Sequence, residues 1–156
     1  MRGGTCVRGT GPFASAMLPG MPPAPLPPDL ERFLAKPRPA VVATIGRDGW
    51  PVTVATWYGW FDGRILLAME PDSHRIRNLR RDPRVSLTVL GDSWYSHVSL
   101  LGRVVEFRDE PGLDDIDRLS MHYLGEPYDH GDAPCVSVVV EVERWHTYGD
   151  PVAAVE

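Results

Sequence analysis

The chain has 156 residues, 43% of them hydrophobic, and its 16 Lys and Arg stand against 21 Asp and Glu for a formal charge of −5. That length buries one hydrophobic core without staples, and the acidic balance argues against a nucleic-acid binder. Cys6 and Cys135 are too few and too far apart for a disulfide framework or a metal site and point to a reducing, cytoplasmic setting, while no apolar run approaches the ~20 residues that span a bilayer.

Residues 1–28 hold five Gly and seven Pro without apolar periodicity. Such a segment cannot bury enough surface to offset its ordering entropy, so a disordered tail is expected. Arg2 and Arg8 ahead of the patch Phe13 to Leu18 imitate a signal peptide, but the patch is too short and Pro12 and Pro19 break it. One folded domain is expected over residues 29–149, with 150–156 as a short C-terminal tail.

Asp29 to Ala35 reads as a helix with Leu30, Phe33 and Leu34 on one face, ended by Pro37. Ala40 to Ile45 is a buried strand, and Gly46-Arg47-Asp48-Gly49 turns it into a second strand from Pro51 to Tyr58. Asp62-Gly63 is a hairpin signal leading into a third strand, Arg64 to Met69.

Asp72 to Leu87 reads DSHRIRNLRRDPRVSL. Asp72 or Ser73 caps a short helix there, Pro83 stops it, and Ile76 and Leu79 form its apolar stripe. Its cations are oddly placed. A helix start carries about +0.5 charge, so Arg75 and Arg77 beside it are unfavourable unless an anion sits there. The free N–H groups, the Ser73 hydroxyl and a guanidinium converge on such an anion, which makes this a candidate phosphate site. The other reading is a solvated basic surface helix.

Arg84 to Leu90 is the fourth strand, turning at Gly91-Asp92-Ser93. Trp94 to Arg108 is long for one strand, and Gly102 marks a bulge within it. Pro111 opens a helix with Leu113, Ile116 and Tyr123 inward and Gly125 at its end. A polar loop from Glu126 to Asp132 precedes the last strand, Cys135 to Trp145, whose valines alternate and whose Glu141 and Glu143 face water. Six antiparallel strands and three helices imply a mainly β protein, a small barrel flanked by short helices.

The run Gly49-Trp50-Pro51, a strand ending Trp57-Tyr58, a hairpin, then Ser73-His74-Arg75 and Asn78-Leu79-Arg80-Arg81-Asp82-Pro83-Arg84-Val85-Ser86-Leu87 resembles the pyridoxamine 5′-phosphate oxidase-like superfamily. More narrowly, it resembles the actinobacterial branch that uses the deazaflavin coenzyme F-420. The resemblance implies an FMN-binding-type split β-barrel, a homodimer with cofactor clefts between its subunits. It implies a cofactor phosphate held by Ser73 and Arg75, Asn78 beside the coenzyme, and His97 near the ring system. Pyridoxamine phosphate oxidases proper carry Arg and Lys on the second strand, where this chain reads Val52-Thr53-Val54-Ala55-Thr56-Trp57-Tyr58, and they end in a basic substrate motif that is missing here. The resemblance therefore implies an F-420-dependent oxidoreductase passing a hydride to an electron-poor small molecule. FMN is the alternative cofactor, and a non-catalytic flavin- or haem-binding protein is the alternative from another class.

Single residues carry two readings each. Trp57 or Tyr58 stacks on or edges a flat ring, or they are strand aromatics that fill a barrel end or a dimer interface. His97 bonds a ring or substrate oxygen, or is an ordinary strand histidine. Arg77, Arg80, Arg81 and Arg84 meet a polyglutamate tail, or are solvated. His122, His130 and His146 lack metal spacing, so no metal is assigned.

Overall fold

The computed structural model describes residues 25–110, 114–129 and 133–151. The elements, in order, are α1 (Pro28–Leu34), β1 (Ala40–Ile45), β2 (Pro51–Thr56), β3 (Gly59–Phe61), β4 (Arg64–Met69), α2 (His74–Arg81), β5 (Arg84–Leu90), β6 (His97–Glu110), α3 (Asp114–Leu124) and β7 (Cys135–Tyr148). The expected N-terminal tail lies outside the described residues up to position 24. Pro111, Leu113, His130 and Asp132 lie outside them as well.

Among the described residues, seven strands form one antiparallel sheet in the order β2-β1-β5-β6-β7-β4-β3, one strand more than the sequence pattern implies. The expected strand from Pro51 to Tyr58 ends at Thr56, and Gly59–Phe61 is a separate strand paired with β4. The reason is the sheet order. β2 and β3 are its two edges, yet only Trp57 and Tyr58 join them. A flat sheet of seven strands would set its edges roughly 29 Å apart, whereas the three Cα steps from Thr56 to Gly59 reach about 11 Å at most. The sheet must therefore curl on itself, leaving a split barrel open between β2 and the β3–β4 edge. Continuous β pairing cannot pass through a corner where the chain changes edge.

The barrel interior takes alternate residues of β1, β5 and β7: Ala40 and Val42, Val85, Leu87 and Val89, and Val136, Val138 and Val140 are all buried. α2 docks on this core through Ile76 and Leu79, the stripe read from the sequence. The alternation expected for Cys135 to Trp145 is absent over Cys135–Val140, where all six residues are buried. Both faces of that stretch are covered, since α3 packs Leu119 against Val139 and Leu66 outside the barrel. Gly102 sits at a register shift between β6 and β7, and a Cβ there would lie 2.5 Å from the Glu141 carbonyl oxygen. β6 begins at His97 rather than Trp94, because Gly91 N–H bonds to the Ser96 carbonyl and closes a loop that leaves Trp94 and Tyr95 exposed.

No described helix is long and apolar enough to cross a membrane.

Candidate functional site

The split is lined as a cleft with two joined lobes. One lobe, of about 550 Å³, lies among Ala55, Thr56 and Trp57 on one side and Ile116 and Leu119 on the other. The second, of about 400 Å³, runs past Met69, Glu70, Ser73, Arg75 and Cys135. Ala68, Ile116 and Tyr128 line both, so the lobes are one groove between β2, β4 and α3.

α2 brings its polar end to this groove. Ser73 is the N-cap, and its hydroxyl accepts from Ile76 N–H at 3.3 Å. Arg77 N–H bonds to the Ser73 carbonyl at 3.3 Å. The amides of His74 and Arg75, in the first turn, have no carbonyl one turn behind them inside the helix. Arg75 reaches across to β2, where its guanidinium donates to Thr56 Oγ1 at 3.3 Å. No carboxylate among the described residues pairs with Arg75, and burial lowers its pKa from the ordinary guanidinium value, with Glu70 opposing at longer range. A half-buried cation without a counter-ion, beside free helix amides, is a donor set that fits a phosphate.

Three of the residues singled out from the sequence meet at the groove: Ser73, Arg75 and Trp57. The other four do not. Tyr58 is 1% exposed and its hydroxyl donates to the Leu34 carbonyl at 2.9 Å, so it anchors the β2–β3 corner in the core and is kept from any ring in the groove. Burial pushes its phenol pKa well up. Asn78 is buried on the barrel side of α2, where Nδ2 donates to Thr44 Oγ1 at 3.0 Å and Oδ1 accepts from Arg81 at 3.2 Å. Arg77 is exposed and donates to the Asp72 carbonyl. His97 starts β6, three strands from β2 in the sheet, and stacks on Tyr148 with ring centroids 5.4 Å apart.

The remaining arginines disperse. Arg80 lies over the Phe107 ring, Arg81 donates to the Ile45 carbonyl, and Arg84 is held by Asp82. The Arg84 hydrogen bonds bring the Asp82 carboxyl down to about 2. Only Arg75 of the five basic positions from 75 to 84 lines the groove.

The pattern of the sequence does not mark Thr56, Ala68, Tyr128 or Cys135 as groove residues. Thr56 and Ala68 are ordinary strand positions, and Tyr128 follows a helix end in a polar loop, so no local periodicity distinguishes them. Tyr123 is legible as an inward position of α3, but not as the ring that stacks on Trp57 at 5.3 Å and 14°.

Solved structures share this architecture. An F-420 reductase is 25% identical, with 78% of this chain and 98% of that one covered and a TM-score of 0.70. A conserved hypothetical protein from Mycobacterium tuberculosis is 28% identical, covering 82% of this chain and 87% of that one, with a TM-score of 0.65. A heme binding protein from Mycobacterium smegmatis, at 22% identity, 80% and 55% coverage and a TM-score of 0.55, shares the fold. No curated protein matches the sequence significantly. The family model for pyridoxamine 5′-phosphate oxidase matches residues 26–149, from two residues before α1 to one past β7, and the chain belongs to that family of split barrels.

Proposed function

We propose that this protein is an oxidoreductase that binds the deazaflavin coenzyme F-420 in the groove and serves the reduction of an electron-poor small molecule, such as an enone, a quinone or a linear tetrapyrrole. One observation carries the reading: Arg75 is half-buried without a carboxylate partner among the described residues, at a capped helix start that opens into the groove. The family and the F-420 reductase of the same architecture support a flavin-like cofactor. The choice of deazaflavin over FMN rests on the motif from Asn78 to Leu87 and on β2, which offers no Arg or Lys to a flavin phosphate.

When bound, the reduced deazaflavin supplies the hydride. The chain's part is to hold and to dry. Ser73, the first-turn amides and Arg75 take the phosphate end. Trp57, Ile116 and Leu119 form an apolar wall that excludes water from a flat ring. The proton comes from solvent, because the Tyr58 hydroxyl is committed to the core.

Fluorescence titration with F-420 and with FMN tests the reading. F-420 should bind more tightly, and its affinity should fall as salt screens the Arg75 contact. Tight FMN binding without F-420 binding would overturn the cofactor while leaving the split barrel intact. Haem binding, read by absorbance, would favour the non-catalytic alternative.

The same reading includes a C₂ homodimer. β2 is exposed along nearly its whole length, and Val52 and Val54, opposite Thr44 and Val42 of β1, remain 39% and 37% exposed beside a 70% exposed Trp50. An apolar edge strand left open in this way invites pairing. Light scattering at micromolar concentration should give twice the chain mass, and a monomer mass would refute the shared cleft.

A further inference from the structure

We propose that Tyr123 is a positioning residue for the groove: its ring braces the Trp57 indole, and its hydroxyl locks that ring to the backbone on both sides of the split. The proposal deepens the cofactor reading above and rests on it.

Trp57 occupies the two-residue link between the sheet edges, where no strand ladder holds it. The next residue, Tyr58, is buried in the core, which fixes the backbone but leaves the indole free to choose its own torsions. Two rings restrict them. Tyr123 stacks face to face at 5.3 Å and 14°, and Tyr128 stands edge-on at 6.3 Å and 78°.

Tyr123 is itself pinned. Its hydroxyl accepts from Tyr58 N–H at 3.3 Å and donates to the Arg38 carbonyl at 2.9 Å. Those two groups belong to the segment ahead of β1 and the corner ahead of β3, while Tyr123 comes from α3. One phenol thus ties three segments together beside Trp57 and presents a flat face to the indole that lines the groove. Arg38 is a firm support, since its guanidinium is buried over the Phe33 ring and bonded to Asp92 at 3.0 Å. Removing the hydroxyl frees the ring to pivot, and removing the ring frees the indole to swing into the ring-binding lobe. The Ser73–Arg75 corner meets Trp57 only through its backbone, since Arg75 donates to Thr56 Oγ1 and that hydroxyl donates to the Trp57 carbonyl, so a swing of the indole alone should leave the corner in place.

The test uses the full chain labelled with 5-fluorotryptophan, whose five tryptophans give five fluorine resonances, Trp57 being assigned by its loss in Trp57→Phe. In Tyr123→Leu the Trp57 resonance should move and broaden while the other four hold. F-420 affinity should fall about tenfold in that variant and roughly two- to threefold in Tyr123→Phe, which keeps the stack and loses both hydrogen bonds. Inorganic phosphate, as competitor, should show the same inhibition constant in all three proteins. A Trp57 resonance unmoved in both variants overturns the proposal, and so do cofactor and phosphate affinities that fall together, because that is general destabilisation. If Tyr123→Leu does not fold, Tyr123→Phe decides by the same readouts. If the parent chain binds neither F-420 nor FMN, the cofactor reading fails, and the fluorine spectrum still decides whether Tyr123 holds Trp57.

Discussion

Arg75→Ala should weaken cofactor binding on the order of ten- to a hundredfold, because it removes a charge-assisted hydrogen bond worth about 1.5–3 kcal/mol. The fold should not suffer in proportion. Arg75 is half-buried, its charged form is disfavoured there by desolvation, and its one side-chain hydrogen bond among the described residues is a 3.3 Å contact with Thr56 Oγ1. A neutral side chain relieves that desolvation, so the melting temperature of the cofactor-free protein should hold or rise slightly. Arg75→Lys keeps the charge and loses the planar fork, and its cost in affinity should be much smaller. Affinity and melting temperature thus move independently if Arg75 is an anion-binding residue. Unchanged affinity for both F-420 and FMN in Arg75→Ala would return α2 to a solvated basic helix, and a large loss of stability would make Arg75 a structural residue.

Leu79→Ala should have the opposite signature. Leu79 is 1% exposed within the cluster that joins α2 to the barrel interior. Truncating a buried leucine costs about 2–5 kcal/mol through lost burial and the cavity left behind, which in a domain of this size lowers the melting temperature by roughly 5–20 °C. Because α2 carries Ser73 and Arg75 to the groove, loosening it should also weaken the cofactor, and saturating cofactor should restore part of the loss by mass action. Thermal melts with and without cofactor separate the two effects. A melting temperature within about 2 °C of the parent would show that α2 does not depend on this contact.

Much of α2 is legible in the sequence because every signal there is local. Ser73 three residues before Ile76 defines a cap, Ile76 and Leu79 define a stripe, and Pro83 defines a stop, all within one or two helical turns. The anion reading of Arg75 follows from the same neighbourhood, because the unfavourable placement of a cation at a helix start is visible without a partner. The Gly102 bulge is local too, since a glycine within a long apolar strand marks where another backbone comes close.

Trp57 and Tyr58 show where such reasoning stops. A period of two assigns them opposite faces of one strand, and the sequence contains nothing to say that the strand ends at Thr56. The end is imposed by the sheet order, which puts β2 and β3 on opposite edges and makes this pair of residues the bridge. Tyr58 then enters the core and Trp57 turns to the groove. His97 and Asn78 part from the site for related reasons: the first lies strands away within one chain, and the second is on the barrel side of α2 with Thr44.

From the sequence alone come the mainly β class, the three helices, six of the seven strands, the capped basic helix and the family. Each rests on periodicity, capping or turn chemistry within about ten residues, or on a motif read as a string. Tertiary structure alone decided the seventh strand, the split, the meeting of Arg75 with Thr56 and the stack of Tyr123 on Trp57. Those contacts join residues 19 and more positions apart along the chain, and whether they form depends on which sheet edges the curl brings together. Local pattern carries no information about that, because the same alternation suits a strand at the edge of the sheet or at its centre.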